Sequence, residues 1–424
     1  MKSTFAALRI RNFRLFAVGS LVSNIGTWMQ RVAQDWLVLT LTGSAGALGL
    51  TTGLQFLPML VLSPIAGVFA DRYSKRKVIA VSQAVLGATA GLLGVLAITG
   101  WVAAWHVYVL AFVFGSAAAF DTPARQAFVN EMVPRDELPN AVALNSASFN
   151  LARMVGPALA GLMIASLGSG VGATGWVILI NAASYIAVLY SITLMRSAEL
   201  APVERLARAG GQIRDGLRYV RNRPDIMLVM AIVFSAGTFG LNFQMTTALM
   251  ATRVYDKGAG EYGLLGSILA IGSLAGSLLA ARRAVARQRL VVGAALAFGT
   301  AVIIAGLMPS YLTFALMLPI CGITALTLIT SANAFVQMAT EAQVRGRVMA
   351  LYLAIFMGGT PVGAPLLGWV AEQYGARWTL VGGGALTMLG TLIAVAVFAR
   401  TQGLSMRGHS VVTDAVMPAE LVPD

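Results

Sequence analysis

Long apolar segments repeat along the whole chain, separated by short polar breaks or breaks that contain Gly and Pro. Each segment has about the ~20 residues that a helix needs to cross ~30 Å of hydrocarbon. The segments lack the alternation of a membrane β-strand, and helices pair every backbone group within lipid, so the pattern predicts helices. Twelve are predicted, at residues 15–41, 46–70, 78–99, 103–127, 141–167, 172–195, 226–250, 261–281, 290–308, 311–337, 348–371 and 378–399.

Composition supports this interpretation. Hydrophobic residues make up 58% of the chain, charged residues only 11%, and the mean hydropathy is +0.78. A chain of 424 residues with this composition has too few polar side chains to cover the surface of a soluble globular protein. The sequence therefore predicts an all-α integral membrane protein with twelve transmembrane helices.

The net charge of +13 is divided unevenly between the loops. With the twelve helices in place, 24 Lys and Arg residues lie on the side of the N-terminus, against Arg253, Lys257 and Arg377 on the other side. This positive-inside bias predicts a multi-pass protein of the cell inner membrane with both termini in the cytoplasm. The basic loops are short and contain no nucleic-acid reader motif, so nucleic acid is not expected as a partner.

The chain divides into two sets of six predicted helices around a basic connection. We expect a cytoplasmic or interfacial N-terminus, a first six-helix bundle, a cytoplasmic linker, a second six-helix bundle and a disordered cytoplasmic tail. Their predicted ranges are residues 1–14, 15–195, 196–225, 226–399 and 400–424, respectively.

An offset of 207 residues places similar residues of the two halves on one another. It superposes Gly115 on Gly322, Gly156 on Gly363, and Gly161 on Gly368. These matches indicate an internal duplication. Two pseudo-symmetric bundles of six helices are typical of transporters whose midplane site opens alternately to either side.

The loop at residues 67–77, GVFADRYSKRK, resembles the sequence motif of the major facilitator superfamily. Residues 30–36 (QRVAQDW), 121–126 (DTPARQ) and 153–157 (RMVGP) resemble a bacterial branch of this superfamily. That branch contains the enterobactin (siderophore) exporter and macrolide efflux proteins. The corresponding loop of the second half departs from the motif, because it has Ala280 where the first half has Asp71.

The resemblance implies a secondary active transporter that exports small amphipathic molecules, of the drug or siderophore class, in exchange for protons by alternating access. It is expected to act as a monomer in the lipid bilayer. The chain has no phosphate-binding run and no nucleophile beside a histidine, and Cys321, His106 and His409 are scattered. We therefore expect no enzyme, no cofactor and no metal. The alternatives are a lysophospholipid flippase and a non-transporting sensor or scaffold.

The resemblance implies that the loop at residues 67–77 forms a cytoplasmic gate latch, which holds the two halves together when the protein faces outward. The alternative for the loop is a turn whose basic residues only set the membrane topology. The alternative for Asp121 and Arg125 is a local ion pair. The expected latch residues are Gly67, Asp71, Arg72, Lys75, Arg76, Asp121 and Arg125.

Polar residues interrupt the first predicted helix, where a charge near the bilayer centre costs ~2.5–3.5 kcal/mol. Arg31 and Asp35 are four residues apart and share a helix face. One interpretation is proton coupling, in which Asp35 gains and loses a proton beside Arg31. The other is a structural pair near the outer end of the helix.

Further polar residues within predicted helices are candidates for the substrate cavity, with helix packing as the alternative. They are Gln34, Arg153, Asn242, Gln244 and Asn333. Four residues in helices 5 and 11 are predicted to bend these helices at matching places in the two halves. They are Gly156, Pro157, Pro361 and Pro365.

Overall fold

The structure is a computed structural model that describes residues 5–201, 212–281 and 287–402. Within these ranges it contains α1 (Arg11–Thr42), α2 (Ala45–Arg72), α3 (Lys75–Ile98), α4 (Ala104–Met132), α5 (Leu138–Ser166), α6 (Val171–Thr193), α7 (Gln212–Arg221), α8 (Pro224–Ser235), α9 (Phe243–Leu249), α10 (Ala259–Ala281), α11 (Gln288–Leu307), α12 (Tyr311–Ala339), α13 (Arg345–Tyr374) and α14 (Arg377–Thr401). Short 3-10 helices lie at Ala6–Arg9 and Ser197–Glu199.

The predicted membrane helices agree closely with these elements. Among the described residues, 11 helical runs are long and apolar enough to cross a membrane. One of them, Pro224–Val254, contains α8 and α9, which the π-helical turn Ala236–Gly240 connects, and ends in a second π-helical turn at Met250–Val254. The remaining long helix, α1, has 32 residues but carries the polar residues that lower its hydropathy. The predicted all-α membrane fold is confirmed.

Equivalent helices pack in the same way within the two halves. A Cβ on Gly115 of α4 would collide with the Gln55 carbonyl of α2, and a Cβ on Gly322 of α12 would lie 2.5 Å from the Leu269 carbonyl oxygen of α10. Only glycine permits these approaches between helix backbones. The pair α4–α2 in the first half thus matches α12–α10 in the second.

The two halves meet along two helix pairs, α2 with α13 and α5 with α10. A Cβ on Gly161 of α5 would lie 2.5 Å from the Ala259 carbonyl oxygen of α10. A Cβ on Gly368 of α13 would lie 2.7 Å from the Ala45 carbonyl oxygen of α2. These two contacts are again equivalent, because each joins the fifth helix of one half to the second helix of the other.

Both contacts lie toward one end of the bundle, which we call the far end and which holds the α1–α2 turn and the α13–α14 turn. The opposite end holds the start of α1 and the α2–α3 turn, and we call it the basic end because Arg11, Arg14, Lys75, Arg76 and Lys77 lie there. The closest backbone approaches between the halves are therefore near the far end.

The α1–α2 turn at the far end has clear local causes. Gly43 ends α1 with a φ of 61°, a left-handed conformation that glycine adopts without strain. Ser44 then caps α2, since its hydroxyl oxygen accepts a hydrogen bond of 3.1 Å from the Ala47 N–H. Together they fix the first N–H groups of α2 at the interface with α13.

Candidate functional site

A central cavity of about 270 Å³ lies between the two halves. Side chains of α1, α2 and α5 line one wall, and side chains of α9, α10, α12 and α13 line the other. Most lining residues are apolar or aromatic, with a few polar groups among them. A largely apolar cavity with few polar groups is the usual form of a small-molecule site.

Asp35 of α1 lies beside this cavity and connects the two halves. Its carboxylate Oδ2 accepts a hydrogen bond of 2.7 Å from the Gln244 Nε2 and another of 2.7 Å from the Tyr262 hydroxyl. Asp35 is only 1% exposed, whereas Gln244 and Tyr262 both line the cavity. A buried charge at an interface between halves is thus held by donors that also face the cavity.

Arg31 does not form the direct ion pair with Asp35 that one interpretation of helix 1 expected. No salt bridge joins the two side chains among the described residues, although their charges attract. The guanidinium instead stacks on Trp28, with its Cζ 4.5 Å from the ring centroid, and lies 5.7 Å from the ring of Phe56. The reason is geometric, because the carboxylate already points to donors of the second half.

Arg153 of α5 lines the same cavity. It is close enough to Arg31 for the two guanidinium groups to repel one another. The close packing of α5 on α1 brings them together, since a Cβ on Gly156 would lie 2.6 Å from the Trp28 Cβ. Two like charges on adjacent helices therefore face one cavity.

The remaining cavity candidates divide into two groups. Asn242 and Gln244 line the cavity. Gln34 and Asn333 are not among the lining residues. Gln34 is spent on a hydrogen bond of 3.0 Å from its Nε2 to the Gln55 Oε1, and Asn333 accepts one of 2.6 Å from the Gln337 side chain.

The expected latch residues at the basic end make contacts within the first half. Arg125 Nε lies 2.6 Å from Asp121 Oδ2, and Gln83 Nε2 donates to the other oxygen of Asp121 at 2.9 Å. Lys75 Nζ lies 2.8 Å from Glu131 Oε1. The Arg125–Asp121 pair lies within α4, and the other two bonds join α3 and α4, so none of the three connects the two halves.

The remaining expected latch residues are Gly67, Asp71, Arg72 and Arg76. Arg76 donates to the Ser197 hydroxyl at 2.5 Å, and the side chain of Arg72 is exposed. Gly67 lies within α2. The side chain of Asp71 lies outside the described part of the structure. The latch therefore remains a prediction from the resemblance.

The four predicted bend residues lie in helices that run on without interruption, α5 and α13. The three prolines pack between the halves, whereas Gly156 packs against α1 of its own half. Pro365 of α13 lies against Gly53 of α2, where an added Cβ would be 2.8 Å from the Pro365 Cγ and 3.2 Å from the Pro361 carbonyl oxygen. Pro157 of α5 packs similarly, with its Cβ 3.0 Å from a Cβ built on Gly266 of α10.

A polar contact between the halves closes the far end. Glu372 of α13 accepts a hydrogen bond of 2.9 Å from the Ala45 N–H at the start of α2 and lies 3.2 Å from the Arg253 Nη2. The same Nη2 donates to the Gly43 carbonyl. We call Arg253, Glu372, Gly43 and Ala45 the far-end clamp. It uses the free N–H groups and carbonyls that helix ends leave.

Sequence reasoning missed Tyr262, Trp28 and the far-end clamp. Tyr262 is one of many aromatic residues in apolar segments, and nothing in its neighbours marks it as a partner of Asp35. The clamp had a weak signal, because Arg253 is one of three basic residues on the far side of the predicted membrane. Its partners are backbone groups, which no residue pattern reveals.

The described ranges contain twelve long helical runs in two equivalent halves, with a mostly apolar cavity between them, and this arrangement defines a membrane transport protein of the major facilitator type. The chain matches the family model of the transmembrane secretion effectors (MFS_3) over residues 2–419. It belongs to that family, and it is a multi-pass membrane protein.

Similar proteins agree with this assignment. The multidrug efflux pump Tap of Mycolicibacterium fortuitum is 29% identical over 380 residues, covering 87% of this chain and 91% of that protein. Macrolide efflux protein A of Streptococcus pyogenes is 23% identical, with 86% and 91% covered. The staphyloferrin A transporter of Staphylococcus aureus is 29% identical over 153 residues, or 36% of this chain and 38% of that protein.

The fold also matches solved structures. A bacterial homologue of the human lysosomal transporter Spinster, solved in an inward-facing and occupied conformation, superposes with a TM-score of 0.70 at 15% identity. The match covers 94% of this chain and 98% of that one. The expected resemblance to the efflux branch of the major facilitators is confirmed.

Proposed function

We propose that the protein exports small amphipathic molecules, of the drug or siderophore class, in exchange for protons by alternating access. The names of the similar proteins support the substrate class, since they are drug, macrolide and siderophore transporters. The positive-inside bias supports an inner-membrane topology in which the basic end faces the cytoplasm. With that orientation, the close contacts at the far end correspond to an inward-facing state.

The observation that carries proton coupling is the link from Asp35 to Gln244 and Tyr262. Hydrogen bonds to a charged acceptor contribute ~1.5–3 kcal/mol, and those between neutral groups ~0.5–1.5 kcal/mol. Protonation of Asp35 would therefore weaken both bonds across the halves. In the absence of a proton, the same bonds hold the far end closed.

A substrate in the cavity can also break the hydrogen bonds from Gln244 and Tyr262 to Asp35. Gln244 and Tyr262 line the cavity, so a bound molecule that engages either side chain competes with Asp35 for it. An empty, deprotonated transporter would stay inward-facing, whereas a substrate or a proton would each permit it to change state. An exchange cycle requires that the substrate-bound transporter and the protonated transporter can each change state. A change of state by the empty, deprotonated transporter would let protons leak.

The test uses purified protein in liposomes with an imposed pH gradient and a dye that reports internal pH. A panel of dyes, macrolides, siderophores and lysophospholipids is added in turn. We expect substrate-dependent proton movement with at least one of the first three groups. Folded protein that moves lysophospholipids without protons would replace the proposal by lipid flipping, and folded protein that moves nothing would favour a non-transporting role.

A further inference from the structure

Two cationic side chains face the central cavity, and no acidic one lines it among the described residues. Arg31 and Arg153 come from α1 and α5, and their guanidinium groups repel one another. Asp35 attracts Arg31 but lies outside the lining and is held by Gln244 and Tyr262. Two guanidinium charges and one carboxylate leave this region with one unbalanced positive charge.

Three enclosed nitrogens of these guanidinium groups have no hydrogen-bond acceptor in the described part of the structure. The Nε of Arg31 and both the Nε and Nη2 of Arg153 are enclosed, and none has a partner among the described residues. Buried polar groups are nearly always hydrogen-bonded, and an arginine with a purely structural role would be given carbonyls or carboxylates. For these nitrogens, neither Arg31 nor Arg153 has a carbonyl or carboxylate partner within the described ranges. An uncompensated charge at this depth is costly.

The rest of the lining complements an apolar body with an aromatic part. Trp28 stacks on Arg31, and Phe56, Phe243 and Phe356 line the cavity around it. Gln244 and Tyr262 add polar contacts on the opposite wall. A ligand could thus place an anionic group between the arginines and a planar apolar part against the aromatic rings.

We infer that the cavity selects amphipathic organic anions, with a carboxylate held by Arg31 and Arg153 and an aromatic or apolar body held by the surrounding rings. This inference rests on the proposed export function and names its substrate class. Arginine suits the task because its planar group donates paired hydrogen bonds to a carboxylate. A single negative charge would balance the excess positive charge of the two arginines and Asp35.

Equilibrium binding to the purified protein in detergent tests this selection without requiring transport. The probes are three fluorescent molecules with one body, namely 1-pyrenebutyric acid, its methyl ester and 1-pyrenebutylamine, at pH 7. We expect the acid to bind at least about tenfold more tightly than the ester and the amine, which is the effect of one charged hydrogen bond.

Substitutions locate the selectivity. Arg153→Gln and Arg31→Gln are each expected to reduce the preference for the acid about tenfold or more and to leave ester binding within about threefold. Arg153→Lys should retain part of the preference, because it keeps the charge but not the paired donors. Arg289→Gln, at an exposed position outside the cavity, controls for the loss of one positive charge.

The outcomes separate this inference from the proposed function. Equal binding of acid and ester, tightest binding of the amine, or an unchanged acid preference in Arg31→Gln/Arg153→Gln would overturn the inference. Displacement of the pyrene acid by lysophosphatidylglycerol at lower concentration than by an aromatic carboxylate would overturn the carboxylate assignment. If the wild-type protein prefers the acid but moves nothing in liposomes, the selectivity stands and export fails. If it exports compounds without regard to charge, export stands and the selectivity fails.

Discussion

The hydroxyl of Tyr262 donates a hydrogen bond of 2.7 Å to the Asp35 carboxylate, although the two residues lie in different halves of the protein. Gln244, also from the second half, donates to the same oxygen at 2.7 Å. The chain separates Asp35 from Tyr262 by 227 residues, so this bond exists only while the halves are together. A single buried carboxylate is therefore a direct polar contact between the two bundles.

Replacing Asp35 by Asn should uncouple transport from protons. An amide oxygen can still accept hydrogen bonds from Gln244 and Tyr262, but it cannot take up a proton as the carboxylate does. We expect substrate-dependent proton movement in liposomes to fall at least about tenfold, while the protein still inserts and binds substrate. Asp225→Asn is the matched control, because that carboxylate pairs with Arg223 at the start of α8. Undiminished proton movement in Asp35→Asn would return Asp35 to a structural role.

Removing the Tyr262 hydroxyl should favour opening of the far end. Tyr262→Phe keeps the ring and deletes one hydrogen bond to a charged acceptor, which contributes ~1.5–3 kcal/mol. The expected shift toward a far-end-open state is about tenfold or more in the ratio of the two states. Spin labels at Thr40 and Tyr374, which are exposed at the far ends of α1 and α13, report the distance between the halves in a Cys321→Ala background.

The matched control for that measurement is Tyr190→Phe. Tyr190 of α6 is 63% exposed, so its ring makes the same chemical change away from the interface. Its distance distribution should equal that of the parent protein. A Tyr262→Phe distribution that also equals the parent would mean that the Asp35 link does not hold the halves together.

The far-end clamp should contribute less than the buried link. Arg253 and Glu372 both belong to the second half and are 30% and 40% exposed, so their bonds to Gly43 and Ala45 of the first half compete with solvent. We expect these bonds to contribute as little as solvent-exposed ion pairs do, ~0.2–1 kcal/mol. Arg253→Gln and Glu372→Gln are therefore each expected to raise the far-end-open population by no more than about fivefold. The same spin-label pair measures it, with Lys257→Gln as a control for charge at this end. A larger shift than in Tyr262→Phe would reverse the order of the two contacts.

The sequence predicted the fold well because membrane helices are a local property. Lipid requires about 20 apolar residues per span, and the segments near residues 78–99 and 290–308 show this directly. The internal duplication was visible for the same reason, since Gly115 and Gly322 solve the same packing problem in each half. The long helix α1 was recognised by its length despite polar residues that lower its hydropathy.

The site was predicted only in part because it depends on contacts between distant segments. Asp35, Arg153 and Gln244 are polar residues within apolar helices. Because polar residues are costly inside a membrane, the sequence alone identified them as candidates. Their partners could not be identified this way. Arg31 was expected to face Asp35 from spacing on one helix, but donors on α9 and α10 occupy the carboxylate and Trp28 stacks on the guanidinium.

Glycines at helix crossings offer a test of which contacts depend on conformation. A Cβ on Gly263 of α10 would collide with the Pro157 carbonyl of α5 and lie 2.9 Å from the Gly161 Cα, both in the other half. A Cβ on Gly272, on the same helix, would collide with the Pro319 carbonyl of α12, which is in its own half. The two positions have equal steric demands but different partners.

Gly263→Ala is therefore expected to shift the protein toward the far-end-open state and to change the melting temperature little. Gly272→Ala should lower the melting temperature by several degrees, because overpacking within a core costs about 1–3 kcal/mol and α10 cannot move away from α12 without unfolding its half. Gly293→Ala, where no atom lies within 4 Å of the added Cβ, should leave both measurements unchanged. The spin-label distances and thermal unfolding in detergent distinguish these effects. A loss of stability in Gly263→Ala as large as that in Gly272→Ala would show that the α5–α10 contact is a fixed part of the fold rather than a contact that opens during transport.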